Sequence, residues 1–502
     1  MQCNLLIASK IKTKGMQMKR LSILTFIVGL LSILISSCTT HKVSPPLPVF
    51  PVPTEKQLAW QELEIYAFVH FTTNTFTNKE WGYGNESPEV FNPTQLDVNQ
   101  WVKTIKDAGM KALILTCKHH DGFCLWPSAY TDHSVKSSKW MNGKGDVVKE
   151  VADACHKSGL KFGIYLSPWD RNRSDYGTPA YVEYYRNQLR EIFSKYGPIF
   201  EMWFDGANGG DGYYGGANEK RKIDGSKYYD WPETLKIIRG LDPSVSFFSD
   251  AGPDIRWCGN EKGYIGDTNW CTINTDTIYA GKPDINNLLN SGEEDGKSWI
   301  PAEVDVSIRP GWFYHKEENA EVKSAERLFQ IYLTSVGRGS NLLLNIPPDQ
   351  RGQINEVDIK ALEEFKKLKD KEFSKNLAFH SEVVADSYRG NSKEYLGSNV
   401  TDGNKNSYWT TNDEIKTGNL DIYLEKLESI KYDCIQEYIK LGQRVESFTI
   451  SVWNDNKWVE VQKSTTIGYK RIIKLNPVVT DRVRINITNS RACPIISNVE
   501  LY

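Results

Sequence analysis

Residues 199–206 read IFEMWFDG, a short and mainly apolar run that stops on a carboxylate, Asp205, and a glycine, Gly206. The run suits a buried strand, and a charged side chain at its carboxyl end is costly unless that end meets solvent or a ligand. Runs of the same kind recur on both sides, at 65–71, 112–117, 162–166, 245–248, 300–306 and 342–346. Amphipathic stretches at 100–108, 147–158 and 181–196 lie between the earlier ones. Polar residues sit at the ends of these runs: His70, then His119 with His120, Tyr165, Asp205 and Asp250, with Glu303 inside a later one. This alternation predicts an α/β fold built as a (β/α)8-like barrel, in which strand ends converge on one mouth. No early GxGxxG turn is present, which argues against a dinucleotide-binding sheet.

A chain of 502 residues is too long for one small core. Past residue 346 the pattern changes: 355–372 reads as a charged helix, and runs at 447–453, 458–462, 472–475 and 482–487 read as short strands of a β-sandwich. The boundary falls near 373–378, giving a barrel at 55–372 and a sandwich at 378–502.

The amino-terminal segment carries Lys12, Lys14, Lys19 and Arg20 ahead of an apolar run, 21–35, that ends in Ser36, Ser37 and Cys38. That is the pattern of a secretory signal. Its ending resembles the lipobox of bacterial lipoproteins, which implies a signal peptide at 1–37, lipidation of Cys38 and anchoring in the bacterial envelope, on its periplasmic or outer face. A plain signal peptide and an uncleaved anchor helix are the other readings. Residues 38–54 are Pro-rich and read as an extended tether. The formal net charge of −2 gives no footprint for nucleic acid. Seven cysteines beyond Cys38 show no CxxC or Cys/His metal spacing. The 15 Trp and 25 Tyr permit flat apolar walls of the sort that sugars stack on.

Glycoside cleavage needs two carboxyl groups, one ionised as nucleophile and one protonated as general acid. Asp205 suits the first role, with Trp203 on its side of the strand and Gly206 leaving room for substrate. The runs FVHFTTNTFTNKEWGYG (68–84), LTCKHHDGFCLWPS (115–128), GIYLSPWDRN (163–172) and MWFDGANG (202–209) together resemble the catalytic domain of glycoside hydrolase family 29, the α-L-fucosidases, over 58–370. The resemblance implies a retaining double displacement with Asp205 as nucleophile and no cofactor. It also implies fucose contacts from His70, Glu80 or Trp81, His119, His120, Trp126, Tyr165 and Trp203. Neighbouring histidines on a strand point to opposite faces, so a structural role for His119 or His120 is the competing reading.

Two glutamates compete for the acid/base role: Glu261, in the loop GPDIRWCGNEKGY (252–264), and Glu303, in WIPAEVDVSIRPGWFYH (299–315). Glu261 is favoured, because a loop reaches the rim and its distance from Asp205 resembles the family spacing. Glu303, Asp305 and Arg309 then read as a buried polar network, and Trp312 as a wall for the sugar. Trp169 and Trp257 read either as a second sugar shelf or as core. The run 301–315 resembles the branch specific for α-1,3 and α-1,4 fucosides on Lewis-type glycans. The stretches SNVTDGNKNSYWTT (398–411) and ISNVELY (496–502) resemble a discoidin-like, coagulation factor 5/8 type C domain. Such modules often bind sugars, here through Tyr408 or Trp409, and Asp402 with Asn404 are candidate ligands for a structural calcium. The alternatives to a fucosidase are a surface lipoprotein that captures fucosylated glycans without cutting them, and a barrel glycosidase for another sugar.

Overall fold

The computed structural model describes residues 42–502. The segment read as a secretory signal and Cys38 lie outside the described residues, and among those described no helix is long and apolar enough to cross a membrane.

Eight parallel strands close into a barrel: β1 (Ile65–Val69), β2 (Ala112–Lys118), β3 (Lys161–Leu166), β4 (Glu201–Trp203), β7 (Ser246–Ser249), β8 (Ile255–Trp257), β11 (Ala302–Ser307) and β12 (Asn341–Asn345), with β12 returning to β1. The intervening numbers belong to two small rim sheets, β5 (Gly209–Gly212) with β6 (Glu219–Lys222), and β9 (Thr272–Ile273) with β10 (Ser298–Trp299). Strand β8 is one that the apolar runs do not reveal. It is three residues long, and residues 250–254 join it to β7 without a helix. The strand–helix rhythm therefore lapses there, and what reads as one loop contains a barrel strand.

Side-chain alternation sorts the strands into two environments. Tyr66 and Phe68 point into the barrel with Tyr165, Trp203, Phe248 and Leu343. Ile65, Ala67 and Val69 point outward into the layer shared with the helices. Those helices start on side-chain caps: Asp97 accepts from the backbone N–H groups of Asn99 and Gln100, Asp146 from Lys149 and Ser324 from Arg327. Each such cap contributes about 1 kcal/mol. Helix Val147–Ser158 stops at Gly159, whose φ of 76° is the left-handed conformation that glycine adopts without steric cost.

Beyond helix Glu356–Glu372 come β13 (Glu382–Ala385), β14 (Trp409–Thr410), β15 (Gly418–Glu437), β16 (Val445–Asn454), β17 (Lys457–Ser464), β18 (Arg471–Ser490) and β19 (Ile495–Leu501). They pair antiparallel, and β15 and β18 break register along their length, which lets the sheet bend around a core that includes Trp409, Ile422, Phe448, Ile450 and Ile485. The architecture is thus the expected barrel followed by a β-sandwich. The sandwich is tied to the barrel by Gln443, which accepts from Cys271 N and donates to Asn269 O, both at 2.8 Å, and by an ion pair between Lys470 and Glu64. All seven described cysteines are buried and free.

Candidate active site

Strand β4 and its extension present Glu201, Trp203 and Asp205 in turn, from barrel interior to mouth. At the top, Asp205 is held by two donors. Tyr165 O–H donates to Oδ2 at 2.7 Å, and the Ala207 N–H donates to Oδ1 at 2.7 Å. Its side chain keeps 22% of its surface open. Gly206 also leaves room for a neighbouring carboxylate: a Cβ there would lie 2.3 Å from Asp250 Oδ2. Asp250 also accepts from Gly281 N at 2.7 Å, so it joins the loop after Asp205 to the rim. Burial pushes its carboxyl up to about 6, with Asp205 adding to the rise.

Three imidazoles share this mouth. His119 and His120 follow the end of β2, where the pleat stops, and their ring centroids are only 4.1 Å apart; His70 lies 5.5 Å from His119. The opposite-face expectation fails because the backbone there is no longer a strand. Burial pushes His70 down to about 3 and His120 down to about 4, and holds His119 well below the ordinary range, so all three are neutral at pH 7. Tautomers follow from their partners. Asn345 donates its amide to Ser307 Oγ and Trp312 O, so its Oδ1 accepts from His70 Nδ1 at 2.8 Å. Ser167 spends its hydroxyl proton on Trp169 O, so it accepts from His120 Nδ1 at 2.7 Å. Both Nε2 atoms are then acceptors. His120 Nε2 sits 3.6 Å from Asp205 Oδ2, too far for a hydrogen bond, and two facing acceptors suit a hydroxyl donor between them.

The predicted aromatic walls divide. Trp81 is 53% exposed and stands edge-on to His120 and Trp169. Trp312 lies 5.2 Å from His70. Trp203 stacks on Phe248 at 4.2 Å with its edge toward the interior. Trp126 is not at the mouth: it is fully buried in the outer layer, and its Nε1 donates to Glu191 on helix Pro179–Lys195 at 2.8 Å. Glu80 faces the rim and braces the next loop, accepting from the N–H groups of Trp312 and Phe313 and lying 2.7 Å from His315 Nε2. It fixes that wall, and its side chain keeps 38% of its surface open at the rim. Trp169 is 2% exposed and bonded to Tyr214 O–H, which makes it core under Trp81.

The two competing glutamates lie in different surroundings. Glu261, past the end of β8, is exposed on the rim and accepts from Trp312 Nε1 at 3.2 Å. Packing around its carboxyl raises its proton affinity, Asp205 and Glu80 add to that, and the Trp312 N–H draws it back. Glu303 is fully buried inside the barrel, bonded to Trp203 Nε1 and Tyr66 O–H. The expected network of Glu303, Asp305 and Arg309 does not form. Asp305 accepts from Trp257 Nε1 at 2.7 Å, while Arg309 points away from the barrel axis and pairs with Asp358 at 2.9 Å. Asn345, Ser167 and Asp305 are the groups at the site that the apolar runs leave unmarked as contacts. Only their places at or near strand ends signal them.

In the sandwich, Trp409 is buried with Nε1 on Ser387 O, and Tyr408 stacks on Tyr438 at 4.7 Å. Asp402 accepts from Asn404 N and Ser407 Oγ, and Asn404 accepts from Asn406 N, so these oxygens close a turn. They are hard oxygen donors of the type calcium takes, although only one of the two is a carboxylate.

An oriented carboxylate, a rim carboxyl of raised proton affinity, neutral imidazole acceptors and indole walls at the mouth of a (β/α)8 barrel define a glycoside hydrolase. The α-L-fucosidase family profile matches residues 48–370 and an F5/8 type C domain profile matches 382–501. Alpha-L-fucosidase 1 of Arabidopsis thaliana is 41% identical over 493 residues, covering 96% of this chain and 94% of its own. A glycoside hydrolase family 29 member from an unknown rumen bacterium superposes with a TM-score of 0.81 at 45% identity, over 91% of this chain and 78% of that one. A Ruminococcus gnavus family 29 fucosidase solved in complex with fucose gives 0.82 at 33% identity, over 92% and 97%. The chain belongs to the α-L-fucosidase family of glycoside hydrolases.

Proposed function

We propose that this chain is an exported, retaining exo-α-L-fucosidase that removes terminal α-1,3- or α-1,4-linked fucose from Lewis-type glycans. The observation that carries the reading is the contrast between Asp205, clamped by Tyr165 and Ala207 with one flank open, and Glu261, a rim carboxyl biased toward its protonated form. Asp205 attacks the anomeric carbon while Glu261 gives its proton to the departing oxygen, and a water activated by Glu261 then releases fucose. His70, His119 and His120 accept from sugar hydroxyls, and Trp81, Trp203 and Trp312 meet its apolar face. Buried Glu303 has no path to a leaving glycan, which favours Glu261.

The linkage preference rests on the likeness of 301–315 to the Lewis-specific branch, and that run supplies Asp305 and Trp312 beside Glu261. Export and anchoring rest on residues 1–38. A calcium at Asp402 and Asn404 is part of the same reading, and chelation is then expected to lower the melting temperature of the intact chain but not of Asp402→Ala.

The deciding experiment gives the enzyme a Lewis trisaccharide and an aryl fucoside and follows the first-formed fucose by NMR. Release from the trisaccharide with the α anomer appearing first is expected. A β anomer first would overturn retention, and activity on the aryl fucoside alone would overturn the linkage assignment. Detergent-phase partitioning that disappears in Cys38→Ala tests the lipid anchor.

A further inference from the structure

We propose that Glu303 is a positioning residue, whose hydrogen bond to the Trp203 indole sets how that ring is turned beneath the sugar-binding mouth. The inference rests on the reading above, in which Trp203 borders the fucose site and Glu261 is the acid/base. Stacking alone underdetermines the ring. Phe248 lies parallel to it at 4.2 Å and 11°, with Phe68 and Tyr165 at 5.2 and 5.3 Å. Such contacts fix the plane of an indole but not its rotation within that plane. Its polar anchor is Nε1, which donates to Glu303 Oε1 at 2.8 Å. Tyr165, one of the rings packed on Trp203, is the residue that donates to Asp205.

Glu303 is itself held from below. Its Oε2 meets Tyr66 O–H; that hydroxyl receives Trp60 Nε1 at 3.0 Å and lies 3.2 Å from Glu201 Oε2. Both carboxyls are fully buried, and among the described residues neither has an ion-pair partner. Two buried carboxyls that share one phenol and no cation cannot both be charged. A proton on Glu303 Oε2 completes a directed chain, from Glu303 to Tyr66 to Glu201, and leaves Oε1 as acceptor for Trp203. Burial holds both groups well above the ordinary glutamate range, in agreement with that chain. A neutral acid in this place offers one acceptor and one donor, which a glutamine reproduces and a leucine does not.

The test is steady-state kinetics on an aryl fucoside, together with fucose binding, for Glu303→Leu, Glu303→Gln, Trp203→Phe and the Trp203→Phe/Glu303→Leu double variant. Glu303→Leu is expected to raise KM and the fucose dissociation constant by about tenfold while kcat stays within about threefold. Glu303→Gln is expected to recover most of that loss. Trp203→Phe, which keeps a ring and removes the N–H, should show the same split, and the double variant should be no worse than either single one. If Glu303→Leu does not accumulate as folded protein, Trp203→Phe and Glu303→Gln carry the comparison. The proposal falls if Trp203→Phe binds fucose as wild type does, or if the two losses add. If Glu303→Gln loses about 10³-fold in turnover and azide restores it, Glu303 is the acid/base, and the Glu261 assignment falls as well.

Discussion

At the rim and in the interior of one barrel, the same chemical pair is put to different use. Glu261 accepts an indole N–H from Trp312, and Glu303 accepts one from Trp203. Both carboxyls bind their protons more tightly than a glutamate in water. The difference is access. Glu261 is exposed and its proton can leave with a substrate oxygen, whereas Glu303 is sealed among Tyr66, Trp203 and Glu201. Water contact, rather than the hydrogen bond each makes, separates a proton donor from a structural acid.

The largest expected effects test the rim side of that comparison. On the proposed double displacement, Asp205→Asn keeps the size of the side chain and removes the nucleophile, so kcat should fall by roughly 10⁴-fold or more. Full-length retention of fucose binding, read by calorimetry, distinguishes this from collapse of the site. Glu261→Gln should cost about 10² to 10⁴-fold on a Lewis glycan, and much less on a fucoside with a good leaving group. Azide should then accelerate turnover and give an azido-fucoside. Equal losses on both substrates, with no adduct, would put the acid elsewhere.

These assignments were partly legible before the fold was known, and the gaps have physical causes. Strand-end polar residues marked the mouth because barrel strands are buried on both faces, which makes a terminal His or Asp conspicuous. Strand β8 was illegible because three residues, Ile255–Trp257, follow a helix-free turn, so no period is completed. Trp126 is placed at the site by the family resemblance alone, and nothing local records that its indole reaches Glu191, 65 positions away, on another element. Gly206 has a second constraint that its own segment does not record. That constraint is Asp250, which comes from the neighbouring strand end. Contacts between strands, unlike the ends of strands, leave no signature in a single segment.

A smaller effect tests the interior side. Burial raises the proton affinity of Glu303 in the folded state above that of the unfolded chain. A raised carboxyl stabilises the fold fully below the unfolded value, near 4.3, and that contribution is lost as pH rises toward the folded value. Glutamine does not titrate. Glu303→Gln should therefore gain on wild type in urea unfolding as pH goes from 4 to 7, by at most about 1.4 kcal/mol per pH unit. A constant gap across that range would mean that Glu303 is charged in the fold.

The finest distinction concerns the two indoles. Trp312 Nε1 donates to Glu261 and so favours its ionised form. Trp312→Phe keeps an aromatic wall near His70 and removes that donor, so the proton affinity of Glu261 should rise further. On the proposed mechanism the free enzyme acts with Glu261 protonated, and the basic limb of the kcat/KM profile reports its loss of that proton. The limb should then move to higher pH in Trp312→Phe, with the acidic limb in place. Trp203→Phe, whose indole partner Glu303 is sealed from substrate, should leave both limbs unmoved. If the basic limb follows Trp203 and not Trp312, the roles of the two glutamates are reversed: the rim carboxyl is the bystander, and the sealed one supplies the proton.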